Sequence, residues 1–367
     1  MLATILGVLA CLSFALYAWQ FFLGARFRFP YGSPPMSFPG ITILKPLKSC
    51  DSETEGCLRT WLEQDYFGPV QVLFGVASED DPAVELVRNK LKADVIICPK
   101  SLGPNAKVST LAQLEPLIQH ELVIISDADV AVPRDLLRRL AGFFESERPA
   151  VASCLYRLSG ASNLPMRLEE FMTNSDFWSQ VLQSLALKRM DFALGAAMMI
   201  TRSELAKIGG FHALVDYLAD DFQLGYRASG KVALCPAVVE CRSSAMTWRQ
   251  VWAHQLRWAR TIRVCQPVPF FFSILSNPTL WPLAWATASG TWMAATAMLV
   301  LRCIAGAWLE RKLTKRFRLS SLIIAPLSDF LRVVFWSLSF AGNRIYWGSR
   351  WFRVLRGGKL APETTGG

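Results

Sequence analysis

From Leu2 to Leu23 the chain carries no charged residue, and about 20 apolar positions are what an α-helix needs to cross a bilayer. The stretch predicts an uncleaved anchor over residues 1–25, because a signal peptide would open on basic residues and keep a shorter apolar run. Arg26 and Arg28 follow directly, and the positive-inside tendency then puts the next domain in the cytoplasm. A second apolar region, 267–301, is broken by Asn277, Pro278 and Pro282. It is too long for one straight crossing and predicts a hairpin or a kinked pair of helices. A third, 319–341, contains Pro326, Asp329 and Arg332, charges that leave it able to cross, re-enter or lie in the interface. Residues 266–345 thus form a set of transmembrane or interfacial helices, followed by a basic tail over 346–367.

Between these ends, residues 36–265 alternate short β-type runs with helical stretches, the signature of an α/β domain. The clear strands are Ile41 to Leu44, Val70 to Val76, Asp94 to Ile97 and Leu122 to Ser126. Helices are predicted near Thr54 to Gln64 and near Asp81 to Lys92, where Pro82 suits a first turn. In open α/β sheets, ligands bind beyond the carboxyl ends of the strands. Acidic residues stand at those ends.

Composition changes this picture in two ways. The hydrophobic share of 52% and mean hydropathy of +0.28 are high for a soluble chain, consistent with a soluble body held by apolar ends. The net charge of +10 concentrates beside the apolar stretches, as in Arg311, Lys312, Lys315, Arg316 and Arg318. It reads as juxtamembrane charge, and no nucleic-acid motif accompanies it. Nine Cys without a C-x-x-C pair, and only three His, argue against zinc and for a reducing compartment.

The acids supply the candidate chemistry. After the second strand come Glu79, Asp80 and Asp81; after the fourth comes Asp127-Ala128-Asp129. In extended backbone two Asp at i and i+2 point the same way, so both can face one Mg²⁺ or Mn²⁺ while a diphosphate completes the shell. A plain turn or helix cap is the other reading of such a triplet. Asp220-Asp221 opens a helical stretch where a cap explains one acid, and apolar surroundings would raise a carboxyl pKa enough for a general base. His254-Gln255-Leu256-Arg257-Trp258-Ala259-Arg260 places Arg257 and Arg260 on one helical face, with Trp258 as a ring platform.

In this order the motifs resemble the ceramide glucosyltransferase family, glycosyltransferase family 21, whose pattern is an Asp, a D-x-D, a further Asp and (Q/R)-x-x-R-W. This chain offers Asp81, Asp127-Ala128-Asp129, Asp221 and Arg257-Trp258, with His254 at the first position of the last motif and Gln255 one residue later. Ile43-Leu44-Lys45-Pro46-Leu47-Lys48, Gln64-Asp65-Tyr66, Gly195-Ala196-Ala197-Met198-Met199 and Gly209-Gly210-Phe211 are similar to the stretches around those motifs. Bacterial hopanoid glycosyltransferases share them.

The resemblance implies a GT-A fold, a Rossmann-like mixed sheet that binds a nucleotide-sugar, and a metal-dependent, inverting hexosyltransferase. Lys45, Pro46, Asp80, Asp81, Asp127, Asp129 and Arg257 would bind the UDP-sugar, with Asp127 and Asp129 on the divalent cation. Asp221, Arg257 and Trp258 would be catalytic, while His254, Gln255, Trp258 and Arg260 would meet acceptor or phosphate. The expected acceptor is a membrane lipid, ceramide with UDP-glucose first and a hopanoid with a UDP-hexosamine second, at a bacterial inner membrane. A processive polysaccharide synthase would want more spans for its channel, and a non-enzymatic adaptor would have lost the acids.

Overall fold

The computed structural model describes residues 1–29, 35–348 and 350–363; residues 349 and 364–367 of the expected tail lie outside the described residues. Eight strands form the central sheet: β1 (Ile41–Pro46), β2 (Val70–Val76), β3 (Val95–Ile97), β4 (Leu122–Ser126), β5 (Val130–Ala131), β6 (Val151–Ser159), β7 (Ala197–Thr201) and β8 (Val232–Arg242). Their order is β3-β2-β1-β4-β7-β6-β8-β5. β1 pairs in parallel with both β2 and β4, and β2 with β3, whereas β7 runs antiparallel to β4 and β6. Strands covered on both faces read as continuous apolar runs. Every residue of β1 and β4 is buried.

This arrangement sets the cleft. The carboxyl ends of β1, β2 and β4 lie on one edge, with Leu44 opposite both Leu73 and Ile125. Ala197 at the start of β7 pairs with Ser126 at the end of β4, so the segment ahead of β7 meets the residues that follow β4.

Three helices are long and apolar enough to cross a membrane: Leu2–Arg26, Trp292–Thr314 and Ser320–Phe340. The first buries Ala10, Ser13, Tyr17, Gln20 and Gly24, one stripe at i, i+3, i+4 spacing, of small or polar residues that let helices approach. Ile5, Val8 and Leu12 stay outward, as do Val300, Leu301, Ile304, Ile323 and Leu327 on the other two. The interrupted region before them forms short helices, Pro267–Phe272, Ser273–Ser276 and Leu280–Ser289.

Arg302, fully buried within the second long helix, ties these helices to the sheet domain. It donates to Asp329 on the last helix at 2.9 Å, to Asp176 of the sheet domain at 2.9 Å and to the Tyr17 hydroxyl of the first helix at 2.9 Å. Arg332 joins the same two acids, and Thr279 donates to Asp329 at 2.6 Å. Asp329 and Arg332, which make the third apolar region look imperfect in sequence, are each other's partners. Removing one member of a buried pair strands the rest, so Arg302→Met should lower stability by about 3–5 kcal/mol. Thermal unfolding in detergent measures this, and an unchanged midpoint would show that the cluster holds nothing together.

Candidate active site

The site is built on the end of β4. Lys45 lies one position beyond the Leu44–Ile125 pairing and is fully buried; its Nζ donates to Ser126 Oγ at 3.2 Å and to the Asp127 carbonyl. Burial pulls its pKa down to about 8, a fall limited by Asp127 and Asp129. A second cation approaches from the helix Ala106–Leu114, capped by Asn105, whose Oδ1 accepts from the Val108 amide at 3.1 Å. Lys107 in its first turn reaches Asp127 at 2.7 Å and Asp220 at 3.0 Å. Burial alone would lower the Lys107 pKa, but the two carboxylates outweigh it and raise it.

Asp129 has no such ion pair among the described residues. Its side chain is accessible from the cleft, yet the surrounding protein and the repulsion of Asp127 push it up to about 6. Two hard carboxylate donors, of which Asp129 has no ion pair among the described residues, fit a divalent cation. Among the described residues no group of three or more His, Cys, Asp or Glu comes together, so the protein would supply two ligands and the donor phosphates and water the others.

The helix Asp220–Arg227 brings the third acid. Gly225 makes its close approach possible, since a Cβ there would fall 2.4 Å from the Phe192 carbonyl carbon. Gly195, just ahead of β7, does the same for the catalytic candidate: a Cβ would stand 2.9 Å from Asp221 Oδ2. Desolvation and then the neighbouring Asp220 raise Asp221 to about 6.

The structure brings Lys45, Asp127 and Asp129 together, and Lys107 links them to Asp220. Arg257, on the helix Trp248–Cys265, belongs to the same cleft, because burial lowers its pKa while the negative charge of Glu169 and Asp127 opposes the fall. Its guanidinium makes no hydrogen bond or ion pair among the described residues, while its carbonyl accepts from the Thr261 hydroxyl at 2.8 Å. Trp258 packs against Phe177, ring centroids 6.3 Å apart, and against His254 at 4.7 Å. His254 and Gln255 converge on Glu169 Oε1 at 2.6 and 2.8 Å. Asp81 is at the same edge but engaged with backbone: it caps the short helix Pro82–Glu85 through the Ala83 amide at 2.9 Å and accepts from the Ser49 amide at 2.9 Å. Pro46 ends β1 beside it and is buried. Asp80 lies exposed on the rim, and Arg260 turns away, donating to the Arg344 carbonyl.

The sequence model of glycosyl transferase family 21 matches residues 5–360. The chain belongs to glycosyl transferase family 21. Among curated relatives, the ceramide glucosyltransferase of Komagataella phaffii is 33% identical over 115 residues, 29% of this chain and 22% of that protein. Ceramide glucosyltransferase 1 of Caenorhabditis elegans is 23% identical over 196 residues, 52% of this chain and 42% of that one. The aligned segments thus span well under two thirds of either relative. Among solved structures, a mannosyltransferase from Pyrobaculum calidifontis in complex with GDP-Man and Mn²⁺ covers 90% of this chain and 98% of its own, with a TM-score of 0.53 and 19% identity. That likeness shows the GT-A fold of this family 21 chain.

Three features of the site escape the motif reading. Lys107 and Glu169 sit in helical stretches where isolated charges look like solvent-facing positions. The third is a small antiparallel sheet, β9 (Arg344–Trp347), β10 (Arg350–Val354) and β11 (Leu360–Pro362), in the region expected as a basic tail. Gly358 accepts from the Leu218 amide at 2.9 Å, and Gln223 donates to Gly357 at 2.7 Å, bracing the helix that carries Asp221. Its signal is alternation: Ile345, Phe352 and Val354 are buried and the arginines between them face out. Gly195→Ala should displace the Asp221 carboxylate and lower sugar transfer by about 10²-fold, the scale of an ångström-level misplacement. Steady-state kcat checks this, and turnover within a factor of two of the parent would show that Gly195 does not set that position.

Proposed function

We propose that the protein transfers a hexose from a UDP-sugar to the hydroxyl of a membrane lipid with inversion, UDP-glucose and ceramide being the leading pair. The observation that carries this reading is Asp221, raised to about 6 and held against Gly195 at the sheet edge where Asp127 and Asp129 stand over Lys45. The names of the curated relatives support the lipid acceptor. So do the three apolar helices, which would keep the cleft near the headgroups, on the cytoplasmic side. Holding the site there avoids drawing acyl chain into water, at about 0.8 kcal/mol per CH₂.

In this mechanism Lys45, Pro46 and Asp81 line the nucleotide side, and Asp127 and Asp129 face the ribose and diphosphate. Bound there, Mg²⁺ or Mn²⁺ would supply Lewis-acid neutralisation of the diphosphate. Asp221 accepts the proton of the acceptor hydroxyl as that oxygen bonds to the anomeric carbon. The bond from that carbon to the phosphate oxygen breaks, its electron pair leaves with UDP, and the configuration inverts. The Arg257 guanidinium, free of other partners among the described residues, meets the charge that develops on the leaving group. Trp258 forms a wall for sugar or acceptor.

The test is transfer from UDP-glucose to ceramide in mixed micelles. Asp221→Asn should keep UDP-glucose affinity and lose about 10²-fold or more in kcat, the usual share of a general base. Asp129→Ala or excess EDTA should abolish transfer. A raised KM for the donor with kcat intact would make Asp221 a binding residue. The pH profile follows from the sign of the shift: the base acts only when deprotonated and its pKa lies above the ordinary 3.8. The rate should therefore fall as pH drops through about 6, where an ordinary Asp would keep it flat to about 4.

A further inference from the structure

We propose that Glu169 anchors the head of the lipid acceptor, so that the site selects amphiphiles carrying a second hydrogen-bond donor beside the hydroxyl that receives the sugar. The inference rests on the lipid-acceptor reading above and says which head that lipid carries. Glu169 lines a cavity of about 130 Å³ that extends from Asp129 to His254. Its walls are largely apolar, from Leu158, Ala161, Met166 and Met246. That space holds several waters, room for a small polar head.

The state of Glu169 gives the cavity its chemistry. The residue is 1% exposed, and its Oε1 takes both local donors, His254 Nδ1 at 2.6 Å and Gln255 Nε2 at 2.8 Å. Oε2 accepts nothing among the described residues. That oxygen is not one of the buried polar atoms left unpartnered; it retains solvent access on a residue that lines the cavity, where a donor supplied by a ligand can replace water. Glu169 and Asp129 disfavour an anionic head, and Arg242, the cation that lines the same space, is paired with Glu240 at 2.6 Å. The adjacent Glu170 is already engaged by Arg318 and by the Ala161 amide at 2.9 Å, which leaves Glu169 as the free acceptor.

Position suits a lipid. Glu169 lies on the helix Leu164–Phe171, whose Leu168 and Phe171 pack against Ile324 and Ala325 of the last long helix. The wall of the cavity is therefore also the element docked on the membrane helices. A lipid head entering from that side meets Glu169 at one end and Asp129 at the other.

The experiment compares N-acylsphingosine with its analogue lacking the secondary hydroxyl, as acceptors for the full chain and for Glu169→Gln in mixed micelles. The parent should prefer the intact acceptor by about 10-fold or more in kcat/KM, the scale of a hydrogen bond to a charged group. In Glu169→Gln the preference should shrink to about 2-fold, through the acceptor KM, with UDP-glucose affinity retained. A second variant, Ala161→Leu, narrows the cavity without touching the carboxylate and should raise KM for both acceptors alike. Full preference in Glu169→Gln, or loss of UDP-glucose affinity, would overturn the assignment. If the parent glycosylates neither acceptor, the lipid-acceptor reading itself fails and takes this one with it, a pattern distinct from a preference that survives the substitution.

Discussion

The position of the catalytic domain against its apolar helices depends on one guanidinium that cannot be left alone. Arg302 sits where neither water nor lipid can solvate it, and an unpaired charge in such a place is prohibitive. Its two carboxylate partners come from different bodies, Asp329 from the last helix and Asp176 from the sheet domain, with Tyr17 of the first helix closing the ring. The pairing is satisfied in one docking geometry only, since a shift of one helical turn would separate the partners by about 5 Å. Buried ionic groups are better at choosing among arrangements than at adding stability. Here the arrangement chosen is the depth of the cleft relative to the helices.

Asp176 transmits that choice to the cleft. It lies about two turns beyond Glu169, in a π-helical segment, Met172–Phe177, that continues the helix Leu164–Phe171. The same segment carries Asn174, which exchanges hydrogen bonds with Leu158 at the end of β6, both at 2.8 Å. One continuous helical rod thus touches the membrane helices through Asp176, the sheet through Asn174 and the cavity through Glu169. On the other side of the cleft the balance is electrostatic. Asp127 and Asp220 share Lys107, Lys45 lies beneath, and Asp129 and Asp221 retain raised pKa values near 6. Of the acids used in the proposed chemistry, Asp129 and Asp221 have no ion pair to a local lysine, whereas Asp127 has one.

How much of this could be read in the sequence follows from range. β1, β2 and β4 were legible as short, mostly apolar β-type runs, β1 and β4 being buried throughout, and the end of β4 because Asp127-Ala128-Asp129 follows it directly. The family pattern led to Asp81, Asp221, Arg257 and Trp258. What was not legible depends on partners far away in the chain. Asp329 and Arg332 look like flaws in a span until Asp176, some 150 residues earlier, is placed beside them. Lys107 looks like an ordinary surface lysine until the register of β4 and the approach of Asp220 meet above it. The arginines at 344–356 suggested a tail because composition weighs charge and ignores the buried Ile345, Phe352 and Val354 that alternate with it.

The departure at His254 can be explained in the same terms. The family pattern places Gln or Arg at this position, a side chain with several donors; this chain has a histidine there and a glutamine next to it. Residues adjacent on a helix point about 100° apart, so two neighbours reach a common atom only if that atom sits between their directions. Glu169 Oε1 does so, accepting from both at 2.6 and 2.8 Å. The pair therefore spends its donors on one oxygen and sets the His254 ring edge-on to Trp258, centroids 4.7 Å apart. The Arg257 guanidinium is left with no hydrogen bond or ion pair among the described residues, and the negative charges of Glu169 and then Asp127 oppose the lowering of its pKa by burial. The histidine therefore keeps the motif's helix tied to the carboxylate of Glu169, with His254 and Gln255 sharing one oxygen and the Arg257 guanidinium outside that pairing.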